Sequence, residues 1–227
     1  MANKGFWESV YYSVVHSRTL TVRTYAYRPS ERAHVDRILG AYLDAVGMNG
    51  MRSNLTYCVH ELAANAKKAN TKRLYFRDRG LEIKNLDDYT RGMRDFKSQT
   101  IAHIDQYLER QKEAGLYVKF DFRRLSDGVS VTVRNNSELA PTEESRIQEK
   151  LEIARRHACL ADAYPTSEDG QEGAGLGLVM MLFMLKSLGF GQEAFRIRSG
   201  NGETRAELTL HRNAETEDEA KRQFATA

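Results

Sequence analysis

Three polar side chains in the first third of the chain have the types and spacing to meet a phosphorylated ligand: Glu61, Asn65 and Lys68, at i, i+4 and i+7. At about 100° per residue, a helix carries all three on one stripe. Leu55, Val59, Leu62 and Ala66 form a second stripe roughly 120° away, so one helix can pack on a sheet and still offer a polar flank. Lys68 is placed to meet a phosphate, whereas Lys67 points about 100° aside, toward solvent. Downstream, Gly173-Ala174-Gly175-Leu176-Gly177-Leu178 lets backbone approach a phosphate without Cβ interference, and the helix starting there presents unpaired N–H groups to an anion. Neither segment says much alone; together they describe a nucleotide site. The spacing is not G-x-G-x-x-G and no Walker lysine-serine pair follows, which disfavours Rossmann and P-loop sites.

The elements that must hold these residues are legible as alternations and helical periods. Leu20, Val22 and Tyr25 alternate with polar residues as a strand over 19–27, and Pro29-Ser30 opens a helix to about Val46, broken at 47–50. After the polar-striped helix, residues 71–115 form an insertion. Within it, 87–114 is highly charged, with Met93, Phe96, Ile101, Ile104 and Leu108 at mostly helical spacings, and reads as one long amphipathic helix. Such a helix either lies on the domain or binds a partner or a second copy. Val118, Phe120 and Phe122, then Val129, Val131 and Val133 across Ser126-Asp127-Gly128, predict a hairpin with one buried face. Residues 143–159 read as helix, 164–172 as a polar loop and 176–188 as a buried helix stopped by Gly189. A last hairpin turns at Gly200-Asn201-Gly202, and a charged tail begins at about 212.

With 227 residues, 41% hydrophobic and 29% charged, the chain suits a single globular domain over 1–227 with a helical insertion. A net charge of +3 from 34 basic and 31 acidic residues is no nucleic-acid footprint. The two cysteines, Cys58 and Cys159, read as reduced and buried, and no cysteine-histidine cluster has zinc spacing. Residues 1–15 lack a cleavage signal, and the most hydrophobic window is about a dozen residues against the about 20 that a bilayer needs, so the expectation is a cytoplasmic protein off the membrane. His60 lies on a different helical face from Glu61, and His16-Ser17-Arg18-Thr19 precedes a strand rather than the long helix of a phospho-acceptor box.

In order and context, these segments resemble the GHKL superfamily of histidine kinase-like ATPases, which includes gyrase-type ATPases, sensor histidine kinases and anti-sigma-factor kinases. Residues 61–70 resemble its N-box and 173–178 its second glycine box, with a hairpin and a lid-like stretch over 139–172 between them. The likeness covers roughly 19–211, apart from the insertion. It implies a two-layer α/β sandwich of the Bergerat type, with a mixed, mostly antiparallel sheet and the helices at Pro29, Glu61 and Leu176 on one face. The cofactors implied are ATP and Mg²⁺. Asn65 is the implied Mg²⁺ ligand, Glu61 the catalytic base, and Lys68, Gly173, Gly175 and Gly177 the phosphate contacts. Where the family has an adenine-binding Asp followed by a glycine, this chain reads Asn135-Asn136-Ser137. The Asn135 carbonyl can still accept the adenine amino proton without the charge-assisted part of the bond. Thr204 matches a threonine near the adenine pocket.

Two functional expectations follow. The first is a regulatory protein that binds Mg-ATP and acts as ATPase or protein kinase on a signalling partner. The second is a non-enzymatic module in which ATP gates protein binding through the lid and the inserted helix. A nucleic-acid-binding domain ranks last, resting only on slight basicity.

Overall fold

A computed structural model describes residues 4–163 and 176–212. Helix α1 (Lys4–Val15) leads into strand β1 (Leu20–Thr24), helix α2 (Pro29–Ala45), and, after a short 3-10 turn, helix α3 (Arg52–Asp78). Helices α4 (Leu86–Ala102) and α5 (Ile104–Glu113) follow, then strands β2 (Val118–Arg124) and β3 (Gly128–Asn135). Helix α6 (Pro141–Arg156), a short α7 (Leu160–Ala163), α8 (Leu176–Ser187), β4 (Phe195–Gly200) and β5 (Glu203–His211) complete the order.

The helix starts have local causes. Pro29 and Pro141 supply a preset φ and no orphan N–H at the first turns of α2 and α6. Glu31 accepts the Arg28 N–H at 2.6 Å and Glu143 the Ala140 N–H at 3.0 Å, each satisfying a donor just ahead of its helix. For α4, Asn85 Oδ1 takes the N–H groups of both Asp87 and Asp88.

The sheet has the order β1-β2-β3-β5-β4 and every adjacent pair is antiparallel, so it is not the mixed sheet expected from sequence. Alternation sets its register. Phe120 pairs with Val133, Val133 with Ala206, and Val131 with Leu208, giving one apolar face that packs with α1, α2, α3 and α8 into a common core. With α2, α3 and α8 on that face, the arrangement is α/β and compatible with the sandwich that the resemblance implied.

The insertion differs from its sequence reading. There is no single long helix: α3 itself runs to Asp78, and the chain then forms two helices that break at His103. Leu74, Tyr75 and Phe76 at the end of α3 bury against Tyr89, Phe96 and Tyr107 in a second, smaller apolar cluster. Gly92 makes this approach possible, since a Cβ there would lie 2.6 Å from the Phe76 ring. Ile101 and Ile104, expected on the packed face, are exposed instead. Among the described residues, no helix is long and apolar enough to cross a membrane.

Candidate nucleotide site

The alternation that buries Val131 and Val133 puts Asn135 on the same face at the end of β3, directly across from Thr204 of β5. The site therefore begins where the apolar floor of the sheet ends. A cavity of about 700 Å³ opens there, within the range of small-molecule sites. Val133, Asn135, Ile197, Thr204 and Ala206 form its floor, and Asn65, Lys68, Ala69 and Lys72 of α3 form a wall. Helix α6 covers it with Glu143, Arg146, Ile147 and Lys150, while α4 contributes Tyr89 and Met93. Leu178 of α8 closes the remaining side.

Four of the expected residues thus share one cavity: Asn65 and Lys68, grouped by helical spacing, and Asn135 and Thr204, which the family resemblance implied. Glu61 does not line it but stands beside it: Asn65 Nδ2 donates to Glu61 Oε1 at 2.9 Å, which frees Asn65 Oδ1 to act as an acceptor. Gly177 ties the later motif to the earlier one, because a Cβ there would fall 2.1 Å from Glu61 Oε1. Any larger residue at the start of α8 would have to push that carboxylate aside. Gly173, Gly175 and the 164–172 loop lie outside the described residues, as does the tail beyond 212.

Cations dominate the electrostatics. Lys68, Lys72, Arg146 and Lys150 all line the cavity, and Glu143 is already engaged by Lys72 at 2.6 Å and by Arg73 at 2.6 Å. Partial burial and the charges of Lys72, Lys97 and Arg146 hold the Lys68 ammonium below its usual pKa against the opposing pull of Glu61, although exposure of the residue keeps the effect screened. Lys150 is likewise lowered, by burial and by Arg146 and Lys68, against Glu149. A group of mutually repelling ammonium and guanidinium ions around one cavity favours a polyanion there. Among the described residues, no cluster of three or more His, Cys, Asp or Glu could hold a metal alone. A Mg²⁺ ion held by one amide oxygen, phosphates and water needs no such cluster.

Sequence reasoning missed several lining residues. Lys72 extends the stripe of Glu61, Asn65 and Lys68 to i+11, and continuing that series would have found it. Arg146 and Lys150 lie four apart on α6, but their spacing does not say which element the helix covers. Tyr89 had no sequence signal; its hydroxyl accepts from Lys72 Nζ at 3.3 Å and from Arg146 at 3.4 Å. Lys67 turns away from the cavity toward Arg28, Glu31 and Arg32. His60 faces α2, with Nε2 2.7 Å from Asp36 and Nδ1 bonded to the Tyr27 hydroxyl. Both cysteines are free; Cys58 is buried with its thiol pushed up to about 12 by burial, but Cys159 is exposed, correcting the expectation that both were buried.

No family model matches the chain, and no solved structure matches it. The chain is similar to an uncharacterized protein of Treponema pallidum (strain Nichols), 37% identical over 207 residues that cover 91% of this chain and 40% of that protein. The chain thus spans well under half the length of that relative.

Proposed function

We propose that the chain binds Mg-ATP as a regulatory protein of the histidine kinase-like ATPase type, acting as ATPase or protein kinase on a signalling partner. The observation that carries this reading is the single cavity joining Asn65 and Lys68 to Asn135 and Thr204, with Gly177 packed against Glu61. The fit is chemical as well as spatial: an apolar floor ending in an amide suits a base, and the ring of cations suits a triphosphate. In this reading Asn65 Oδ1 holds Mg²⁺, Lys68 and Lys72 meet phosphate oxygens, and Asn135 Oδ1 accepts from the adenine amino group. Thr204 Oγ1 already donates to the Ser137 carbonyl at 2.7 Å, so toward a ligand it can only accept. Bound Mg²⁺ would supply charge neutralisation on the triphosphate. Glu61 would take the proton of the attacking water or acceptor hydroxyl on Oε2, its Oε1 being held by Asn65.

The test is Glu61→Ala, with ATP binding and turnover measured side by side. Binding within a few-fold of wild type and turnover reduced on the order of 10²-fold or more is the expected result. Turnover equal to wild type would remove Glu61 as the base.

A second reading, the non-enzymatic ATP-gated module, gains support from one feature. Helix α6 covers the cavity and reaches the insertion through Arg146 and Tyr89, so a ligand beneath α6 has a physical route to an outer surface of α4. Mg-ATP binding by wild type without hydrolysis or phosphotransfer would select this reading over the first.

A further inference from the structure

Asn70 is fully buried one turn beyond Asn65 and Ala66, and every polar atom of its amide is used. Its Nδ2 donates to the Tyr117 carbonyl at 3.0 Å. A backbone carbonyl can only accept, so this bond fixes which way round the Asn70 amide lies. Onto Asn70 Oδ1 converge the Ser137 hydroxyl at 2.8 Å and Asn135 Nδ2 at 3.2 Å. Asn135 Nδ2 also lies 3.4 Å from the Ser137 carbonyl. The amide nitrogen of Asn135 therefore faces two oxygens, neither of which can donate. Turned over, it would set its own oxygen against both.

We propose that Asn70 is a positioning residue that locks the Asn135 amide with Nδ2 inward and Oδ1 toward the cavity, so that position 135 accepts an amide and rejects a carboxylate. Asn135 and Ser137, the two departures from the family pattern, then form one coupled set with Asn70. Restoring the family's aspartate at this position weakens the site, because a carboxylate there meets Asn70 Oδ1 and the Ser137 carbonyl with no proton to offer. The adenine part of this inference rests on the Mg-ATP reading; the orientation of the amide does not.

The experiment compares wild type, Asn135→Ala, Asn135→Asp and the double variant N70S/N135D, as full chains, by thermal melts from pH 4 to 8 and by calorimetry with Mg-ATP. At pH 8, N135D melts below N135A, because a repelled carboxylate is worse than no side chain. The gap closes as pH falls, because the folded state raises the pKa of the introduced carboxyl and the protonated acid donates as the amide did. The charged and titratable groups lining the same cavity, Lys68 and Lys72 of α3, Tyr89 of α4, and Glu143, Arg146, Glu149 and Lys150 of α6, are common to all variants, so wild type and N135A carry their contribution. ATP affinity of N135D falls about tenfold or more at pH 8, and N70S/N135D, whose hydroxyl can donate, recovers part of the loss. Should N135D not fold at pH 8, its refolding near pH 5 and the folding of the double variant give the same reading. N135D as stable as wild type at pH 8, a gap to N135A that does not change with pH, or a double variant no better than N135D overturns the proposal. Wild type that binds no nucleotide overturns the Mg-ATP reading instead and leaves the amide orientation to the melts.

Discussion

Replacing Glu143 by Gln tests how α6 is held over the cavity. The Glu143 side chain is 8% exposed, with Oε1 at 2.6 Å from Lys72 Nζ and Oε2 at 2.6 Å from Arg73 Nη2, and it also accepts the Ala140 N–H. Burial alone would push its pKa up, but the Arg73 hydrogen bonds and the charges of Lys72 and Arg73 outweigh that and hold it down at about 2. Relative to an ordinary 4.5, the pairing contributes about 3 kcal/mol to folding, at about 1.4 kcal/mol per pH unit. Because the folded-state pKa is depressed, this stabilisation is complete above the unfolded value near 4.5 and is lost as pH falls toward 2. At pH 7, E143Q leaves a buried lysine without its counter-charge and should melt roughly 6–12 °C below wild type. Melts of both proteins from pH 2 to 8 check this: the two curves should converge between about pH 4.5 and 2, since only wild type has this carboxylate to lose. Parallel curves, or an E143Q melt within about 2 °C of wild type at pH 7, would refute the reasoning and detach α6 from the argument.

Gly177→Ala should separate stability from chemistry. Its Cβ would meet Glu61 Oε1 at 2.1 Å, forcing that flexible side chain to swing away from Asn65, while the modest helix-propensity gain of alanine in the first turn of α8 offsets the lost exposed bond. Melting should be little changed while ATP turnover drops on the order of 10²-fold; unchanged turnover would detach Glu61 from its role. Lys68→Ala should lower ATP affinity by about tenfold and flatten its salt dependence. Its melting temperature should change little or rise, since burial and the repulsion of Lys72, Lys97 and Arg146 outweigh the attraction of Glu61; a large loss of stability would show that Lys68 braces the fold rather than meeting a ligand.

How far the sequence speaks depends on whether a pattern is local. The hairpins β2–β3 and β4–β5 were legible because Val118, Phe120, Phe122 and their partners alternate strictly, and a slip of one residue would expose the whole face. The 3.6-residue period grouped Asn65 with Lys68, whereas Asn135 and Thr204 were indicated only by the family resemblance, and their pairing across β3 and β5 emerges from the sheet register. The insertion departs from its periodicity because its apolar residues fit a helical period that the tertiary packing does not use. Tyr89, Phe96 and Tyr107 bury around the end of α3, while Ile101 and Ile104, equally apolar, flank the break at His103 and stay exposed. The Lys72–Glu143 and Asn70–Asn135 bonds join residues 71 and 65 positions apart, and no local rule reports such pairings. The antiparallel sense of every strand pair is likewise a property of the assembled sheet.

The most direct measurement is calorimetric titration of the wild-type chain and Asn65→Ala with ATP, with and without Mg²⁺. Wild type should bind ATP, and Mg²⁺ should strengthen that binding; N65A should retain a weaker, Mg²⁺-insensitive affinity through the cations and Asn135. Absence of ATP binding by the folded wild-type chain, or an N65A variant with undiminished Mg²⁺ dependence, would contradict the account.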